Sequence, residues 1–332
     1  MTHPISWLTR AAVWLAGGLP VAALGGLGAA AGWFWYRVVP IRRQVARENI
    51  QRALGLSSEA AEPLVREMYL HLGRSAAELL ALDRLARGVQ VSGEAAFRAA
   101  LAPGNGILLV TAHLGNWEVL VRVATAAGRP VHVVTKRLHR GWAEAAWRAL
   151  RRDGASLLHE KGSARAILAA LRRGEIVAFV LDQHEASASA WIGSFFGRPA
   201  ATSSGLARLA RVTAAPVLPV FTWRGADGRH HVEFGDALAA GPELEVQGRD
   251  AAVADLTRRC LAVVESAIRE HPGQWLWIHR RWKVELGGRV NPAEASRAEG
   301  AHRRGRGRAS AHVARPLGPS GVARGEPQPP RD

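Results

Sequence analysis

The apolar residues of this chain follow two alternating periodicities. Apolar residues three and four positions apart predict helices over 44–55 and 58–87, and a long amphipathic helix over 250–270. Short apolar runs bounded by turn residues predict strands at 106–113, 130–136, 155–160, 175–183, 215–224 and 230–236. The segments between them predict helices at 117–127, 141–152, 163–173 and 204–212, and a loop at 184–201. Strands that alternate with helices indicate an α/β domain with a mostly parallel central sheet flanked by helices.

The two ends of the chain differ from this body. Residues 11–36 contain no charged side chain, a length that suits a helix across a bilayer, and several arginines follow directly. We therefore predict an N-terminal membrane anchor helix within residues 1–40, with the body on the cytoplasmic side by the positive-inside rule. A cleaved signal peptide, a helix lying in the membrane interface and a buried soluble helix are the alternatives. Residues 289–332, rich in Arg, Gly and Pro, predict a disordered basic tail, which leaves 41–288 as the folded domain.

The chain carries a large positive charge. Its 44 Lys and Arg residues against 28 Asp and Glu residues give a formal net charge of +16. Such a surplus favours an anionic partner, namely nucleic acid, anionic lipid or an acidic carrier protein. No nucleic-acid reading module is recognisable in the sequence, so nucleic acid is not the expected partner. A single cysteine, Cys260, excludes an intramolecular disulfide and a Cys-rich zinc site, and without an HExxH motif we expect no metal.

The stretch ILLVTAHLGNWEVL holds the candidate chemistry. It places His113 at the carboxyl end of a predicted strand, where open α/β sheets bind their ligands, and Glu118 in the first turn of the next helix. Gly115 permits the tight turn between them, and Asn116 is a suitable N-cap. A carboxylate on one imidazole nitrogen leaves the other nitrogen as a general base. The spacing alone also fits a histidine that is merely hydrogen-bonded. No GxSxG or reactive-cysteine pattern indicates a covalent enzyme intermediate.

The H-x4-E core of this stretch resembles the signature of the lipid A secondary (lauroyl/myristoyl) acyltransferases, a family of the lysophospholipid acyltransferase superfamily. Four further segments occur in the family's order. They are GEIVAFVLDQ (174–183), FFGRPAATSSG (195–205), APVLPV (215–220) and QWLWIHRRWK (274–283). With the N-terminal apolar helix, the resemblance covers residues 10–285.

This resemblance implies a membrane-bound O-acyltransferase of the bacterial inner membrane, with its catalytic domain on the cytoplasmic face and with no cofactor. It would move a fatty acyl chain from an acyl-carrier-protein thioester to a hydroxyl of a lipid A precursor, with acyl-coenzyme A as the alternative donor. His113 would be the general base and Glu118 its orienting partner. The oxyanion would be held by backbone amides near Gly115 and Asn116, and by a basic side chain from 148–152, of which we choose Arg148.

The other segments of the resemblance supply further candidate residues. We expect Asp182 and Gln183 to bind polar headgroup atoms at the same sheet edge, with capping of a loop as the alternative. Arg198 and Thr202 are expected to contact phosphate or only to hold their loop. Aromatic and basic side chains complete the set, as an acyl path or core (Phe195, Phe196) and as interfacial anchors (Arg280, Arg281, Lys283).

A basic stretch over 136–173 carries ten basic residues against three acidic ones. A solvated surface is its ordinary interpretation, but this charge also suits an acidic acyl carrier protein or a phosphorylated glycolipid. Two other functions remain open at this point. One is an acyltransferase with another acceptor, such as a phosphatidylinositol mannoside, a phospholipid or an aminolipid. The other is a non-catalytic basic protein that binds membranes.

Overall fold

The centre of the protein is a mostly parallel sheet. The computed structural model describes residues 16–135, 155–159, 162–187, 189–238 and 249–284. Its strands are β1 (Gln90–Ser92), β2 (Ile107–Thr111), β3 (Val131–Thr135), β4 (Ser156–His159), β5 (Ile176–Val180), β6 (Trp191–Phe195), β7 (Arg198–Thr202), β8 (Val217–Arg224) and β9 (His230–Phe234). Seven of them form one sheet in the order β1-β9-β8-β2-β5-β3-β4. Within it only β8 and β9 pair antiparallel, which confirms the predicted sheet.

Helices flank this sheet. They are α1 (Val21–Val38), α2 (Arg43–Leu54), α3 (Ser58–Glu78), α4 (Leu82–Ala86), α5 (Glu94–Leu101), α6 (Trp117–Thr125), α7 (Ala164–Arg172), α8 (Gly205–Thr213) and α9 (Arg249–Glu270). The Ser57 side chain accepts a hydrogen bond from the amide of Ala60 and so caps the start of α3. A 3₁₀ turn, Leu79–Ala81, separates α3 from α4 and divides the single helix predicted over 58–87.

Two apolar layers form the core, one on each face of the sheet. Because side chains alternate along a strand, Leu108 and Val110 of β2 face one layer while Ile107 and Leu109 face the other. The first layer contains buried residues of α2, α3, α7, α8 and α9, and the second contains those of α4, α5 and α6. Burial on both faces explains why these central strands are continuous apolar runs in the sequence.

Helix α1 packs along α3 so closely that their backbones are in contact at the glycines of α1. A Cβ at Gly28 would lie 2.4 Å from the carbonyl oxygen of Gly73, and one at Gly32 would lie 2.2 Å from that of Tyr69. Among the described residues, no helix combines the length and apolar character needed to cross a bilayer. Residues 11–15 of the segment predicted as a membrane-crossing helix, 11–36, lie outside the described residues. The helix that the structure describes begins at Val21, and half of its 18 residues are glycine or alanine, which add little apolar surface.

The segment predicted as a loop over 184–201 contains an ordered antiparallel hairpin, formed by β6 and β7. Its turn, Phe196–Gly197, has positive φ at both residues, which suits a two-residue connection between strands. The short elements β1 and α5 were not predicted either, because three strand residues and two helical turns carry little periodic signal. The predicted helix at 141–152 and the predicted tail at 289–332 lie outside the described residues.

Candidate active site

Two neighbouring parallel strands bring polar side chains to one edge of the sheet. β2 and β5 pair in register, with Thr111 opposite Val180, and the amide of Leu181 donates to the Thr111 carbonyl at 3.1 Å. The residues that follow the two strands therefore meet. His113 comes two positions after β2, and Asp182 comes two positions after β5. This edge is where open α/β sheets form their binding crevices.

Asp182 holds His113 through both of its oxygens. Oδ1 lies 2.9 Å from the imidazole Nδ1, and Oδ2 accepts the backbone N–H of His113 at 2.9 Å. Oδ2 also accepts the indole N–H of Trp275 at 2.6 Å. Since a carboxylate accepts hydrogen bonds, Nδ1 carries the proton and Nε2 keeps its lone pair. This arrangement is that of an oriented general base.

The electrostatics of the pair strengthen this assignment. Burial opposes the charge of Asp182, but the contacts with His113 and Trp275 outweigh it and lower the pKa of this carboxyl to about 2. Burial also disfavours the charged imidazole, yet Asp182, and after it Glu118, raise the pKa of His113 above its usual value. The imidazole side chain is 21% exposed and the Asp182 side chain 2%, so the base faces the crevice and its partner does not.

Glu118 has a different place from the one that the sequence predicts. We expected it to orient the imidazole, whereas the carboxylate on Nδ1 is that of Asp182. Glu118 is buried in the first turn of α6, and its negative charge contributes to the raised pKa of His113. Asp182 lies 69 positions after His113 in the chain. Only the pairing of β2 with β5 therefore reveals Asp182 as the contact partner of His113.

The turn after His113 is braced by the C-terminal segment. Leu114 forms an antiparallel bridge with Trp275, and the amide of Leu276 donates to the His113 carbonyl at 3.2 Å. Gly115 has a φ of 58°, and a Cβ there would lie 2.1 Å from the carbonyl oxygen of Thr222. Its own amide donates to the Gln274 carbonyl at 3.1 Å, so it is not free to hold an oxyanion as predicted. The Gly115 amide is used because it completes the backbone pairing between the turn after His113 and the C-terminal segment at Gln274 and Trp275.

Beneath the turn lies a buried polar network centred on Glu78. Its carboxylate accepts from the Asn116 side-chain amide at 3.1 Å and from His230 Nε2 at 3.2 Å, and it pairs with the Arg224 guanidinium. Burial alone would raise the pKa of Glu78, but His230 and Arg224 lower it to about 2. Asn116 occupies the predicted N-cap position of α6, but its side chain makes no capping bond there. It anchors the turn to Glu78 instead.

A cavity of about 410 Å³ opens beside the imidazole. Gln183 lies at its mouth with Nε2 3.3 Å from Nδ1 and 3.4 Å from Nε2 of His113. The Trp117 ring also lines it and meets the imidazole edge-on at 5.1 Å. Most of the remaining wall is apolar and includes Leu120, Val121, Val133, Val134, Ala178 and Phe179. The cavity thus combines a polar mouth with an apolar interior, which suits a chain-like apolar ligand with a reactive polar end.

Several other predicted site residues lie away from this cavity. The Arg198 guanidinium stacks over the Trp282 ring at 4.7 Å. Thr202 is fully buried, and its hydroxyl accepts from the Arg281 guanidinium at 2.6 Å, so it holds its loop rather than a phosphate. Phe195 is part of the core, as is Phe196. Arg148, predicted to hold the oxyanion, lies outside the described residues, as does most of the basic stretch 136–173.

Of the predicted interfacial anchors, Arg280 and Lys283 are exposed, whereas Arg281 is an interior residue. Trp275, Trp277 and Arg281 are each almost fully buried, because the C-terminal segment lies between the catalytic turn and the β6–β7 hairpin rather than on the surface. Asn49 of α2 fixes the same segment by donating to the carbonyls of Trp277 and His279 at 2.7 and 2.8 Å. Among the described residues, no three His, Cys, Asp or Glu side chains converge on a point that could hold a metal ion.

The chain is similar in sequence to known lipid acyltransferases. A family model described as bacterial lipid A biosynthesis acyltransferase matches residues 1–284. The chain is 28% identical to the Escherichia coli lipid A biosynthesis palmitoleoyltransferase, over 85% of this chain and 93% of that protein. It is 26% identical to the Escherichia coli lipid A biosynthesis lauroyltransferase, over 86% and 94%. It is also 26% identical to a Mycobacterium tuberculosis phosphatidylinositol mannoside acyltransferase, over 72% and 77%.

Proposed function

Because this chain belongs to the bacterial lipid A biosynthesis acyltransferase family, we propose that it transfers a fatty acyl chain from a thioester to a hydroxyl group of a lipid A precursor. The observation that carries the proposal is the His113–Asp182 pair at the mouth of an apolar cavity. An oriented base and an adjoining apolar chamber are the two features that O-acylation with a long-chain donor requires. The chain is an O-acyltransferase, and its chemistry follows from this geometry.

The transfer begins with deprotonation of the acceptor. His113 Nε2 takes the proton of the acceptor hydroxyl as its oxygen attacks the thioester carbonyl carbon. Asp182 keeps Nδ1 protonated and stabilises the imidazolium that forms, while the charge of Glu118 acts in the same direction. The tetrahedral intermediate collapses with cleavage of the C–S bond, and the imidazolium returns its proton to the departing thiolate. An ester and a free thiol result, and no covalent enzyme intermediate is needed.

The negative oxygen of the intermediate needs hydrogen-bond donors. Among the described residues, Gln183 is our candidate, because its amide nitrogen lies within 3.4 Å of His113 Nε2 and lines the cavity. We retain Arg148 as a proposed cationic donor, since its segment follows β3, whose carboxyl end lines the same cavity. Donors aimed at a developing charge in a water-poor site stabilise it more than they would in water.

The donor and the location belong to the same proposal. We propose acyl carrier protein as donor, drawn by the basic stretch 136–173, because complementary charge accelerates encounter between proteins. The fatty chain would occupy the apolar cavity, with its thioester at the polar mouth. We further propose that the enzyme works at the cytoplasmic face of the bacterial inner membrane, where a lipid acceptor resides. Acyl-coenzyme A and phosphatidylinositol mannoside are the rival donor and acceptor, the latter because of the mycobacterial relative.

The full-length purified enzyme tests this proposal directly. It should convert a lipid A precursor to a product heavier by one acyl chain, detected by mass spectrometry, when supplied with acyl-acyl carrier protein. Acyl-coenzyme A should support a slower reaction, and phosphatidylinositol mannoside should not be acylated. The His113→Gln enzyme is the matched inactive control. Acylation of phosphatidylinositol mannoside with none of the lipid A precursor would contradict the proposed acceptor.

The pH profile of the reaction should report the Asp182 contact. His113 must be neutral to act as a base, so kcat/KM should fall as pH drops through its raised pKa. In Asp182→Asn the largest influence that raises this pKa is gone, so the acidic limb of the profile should move to lower pH. Glu118→Gln should move it in the same direction by less. If the limb stays in place in Asp182→Asn, the base that titrates is not His113.

A further inference from the structure

Four arginines surround an open pocket where α1 ends and α2 begins. Arg37 closes α1, Arg43 and Arg47 lie on α2, and Arg66 projects from α3. The pocket measures about 570 Å³. It lies far from the catalytic turn, because Glu62 at its wall and Glu78 beneath that turn are 16 positions apart on α3. At the helical rise of 1.5 Å per residue this separation is about 24 Å.

One wall of the pocket is held in place by Glu62, which also neutralises part of the positive charge of the arginines there. Glu62 accepts the Tyr36 hydroxyl at 2.5 Å and pairs with Arg47 at 2.6 Å, and it lies 3.5 Å from Arg43. The Arg43 guanidinium also lies over the Tyr36 ring at 4.8 Å, which fixes its direction. Burial opposes the charge of Glu62, but the hydrogen bonds from Tyr36 and Arg47 outweigh it and lower its pKa. Glu62 therefore orients two arginines while remaining ionised.

The other two arginines are available to a ligand. Within the described part of the chain, no ion pair joins Arg37 or Arg66 to a carboxylate, and both side chains are exposed. The pocket holds four arginines against Glu59 and Glu62, which leaves two positive charges. Guanidinium groups that converge on an open pocket match the oxygens of a phosphate group.

An apolar surface borders this pocket and identifies the kind of phosphate. Trp33 lines the pocket, and it is half exposed, as are Phe34 on the same helix and Val38 at its end. Val39 and Ile41 extend the exposed apolar surface toward α2. Exposed aromatic and aliphatic side chains beside arginines are the composition of a membrane-interface surface. Free phosphate would make no contact with these apolar side chains, whereas a phospholipid would contact both the arginines and the apolar surface.

We propose that this pocket binds the phosphate headgroup of an anionic bilayer phospholipid, with the apolar residues around Trp33 and Val38 lying against its acyl chains. The site is separate from the crevice at His113, so the lipid it holds is a fixed point of attachment and not the acyl acceptor. Binding there would hold the α1–α3 pair on the bilayer surface. It does not depend on the proposed acyl transfer.

Vesicle flotation with the full-length protein tests this site. We expect tighter binding to phosphatidylcholine vesicles that contain phosphatidylglycerol than to pure phosphatidylcholine vesicles. The double variant Arg37→Gln/Arg66→Gln should lose roughly 10–30-fold of this preference, since each basic residue near an anionic surface contributes about fivefold. The control Arg98→Gln/Arg258→Gln removes the same charge from exposed positions on α5 and α9, and should retain the preference.

Three results would overturn the proposal. The first is an unchanged preference for phosphatidylglycerol in the Arg37/Arg66 variant. The second is an equal loss in the control variant, which would mean that overall charge and not the pocket selects the lipid. The third is abolition of the preference by inorganic phosphate when chloride at the same ionic strength has no effect, because the ligand would then be free phosphate. If instead the variant binds vesicles normally and loses binding of acyl carrier protein, the pocket is a protein-docking site.

Discussion

Replacing His113 with Gln should lower kcat for acyl transfer by about 10²–10⁴-fold, the usual contribution of a general base. Glutamine keeps a polar side chain at the cavity mouth but has no group that can take the acceptor proton. Asp182→Asn should cause a loss of similar order, because the amide can present its N–H to Nδ1 and so stabilise the wrong tautomer. The double variant should be little worse than either single variant, since residues that act as one unit are not additive.

The measurement is initial-rate kinetics on enzymes whose circular dichroism and melting temperature match those of the parent. His231→Gln is the matched control, because His231 lies on β9, away from the crevice, and stacks on Trp223. It should leave turnover unchanged. Glu118→Gln should cost less than Asp182→Asn, because Glu118 acts on the imidazole through its charge. If Glu118→Gln is much slower than Asp182→Asn, Glu118 and not Asp182 orients the imidazole, as the sequence predicts. Near-normal turnover in His113→Gln would exclude the mechanism.

The sequence predicts the central elements of the fold because they are buried on both faces. Strand β5 is wholly apolar, β2 is apolar except for Thr111, and β3 and β8 are mostly apolar. The amphipathic helix α9 ends at Glu270 as predicted. Elements with less buried surface, such as β1 and the β6–β7 hairpin, carry no comparable periodic signal. Periodicity reports burial, and it therefore identifies the inner part of the sheet better than its margins.

For the candidate site, the sequence predicts residues but not partners. The sequence predicts both His113 and Asp182 at the carboxyl edge of the sheet, yet their contact depends on β2 and β5 being neighbours. Nothing local in the sequence indicates that strand order, since β3 and β4 intervene along the chain. The same limit applies to Trp275, whose indole reaches Asp182 from 93 positions away. Two strand ends that both carry titratable residues were the available signal for the first pair.

The Glu78 network is the clearest case of a functional support that local patterns do not reveal. Glu78 comes from α3, Asn116 from the start of α6, and Arg224 and His230 from β8 and β9. Each of these residues alone would be assigned to a polar surface. Together they hold the turn that carries His113 against the sheet from below, while Trp275 and Leu276 hold it from the other side. The position of the base thus depends on residues from distant parts of the chain.

Replacing Glu78 with Gln should destabilise the fold by about 3–5 kcal/mol, the typical cost of leaving one partner of a buried ion pair alone. Glu78 is 1% exposed, and the variant would leave the Arg224 guanidinium without its carboxylate. Urea denaturation at neutral pH measures the loss. Glu233→Gln is the control, because Glu233 is exposed on β9 beside the network, and its effect should stay within about 0.5 kcal/mol.

The pH dependence of this difference identifies its cause. A carboxyl group whose pKa falls to about 2 on folding contributes stability that is fully present above its unfolded pKa. That contribution is lost as pH falls through about 2. The gap between the parent and Glu78→Gln should therefore be widest near neutral pH and should narrow steadily under acid, with the control showing no such trend. A gap that is small at neutral pH, or that is independent of pH, would mean that Glu78 supports the turn by packing and not by its charge.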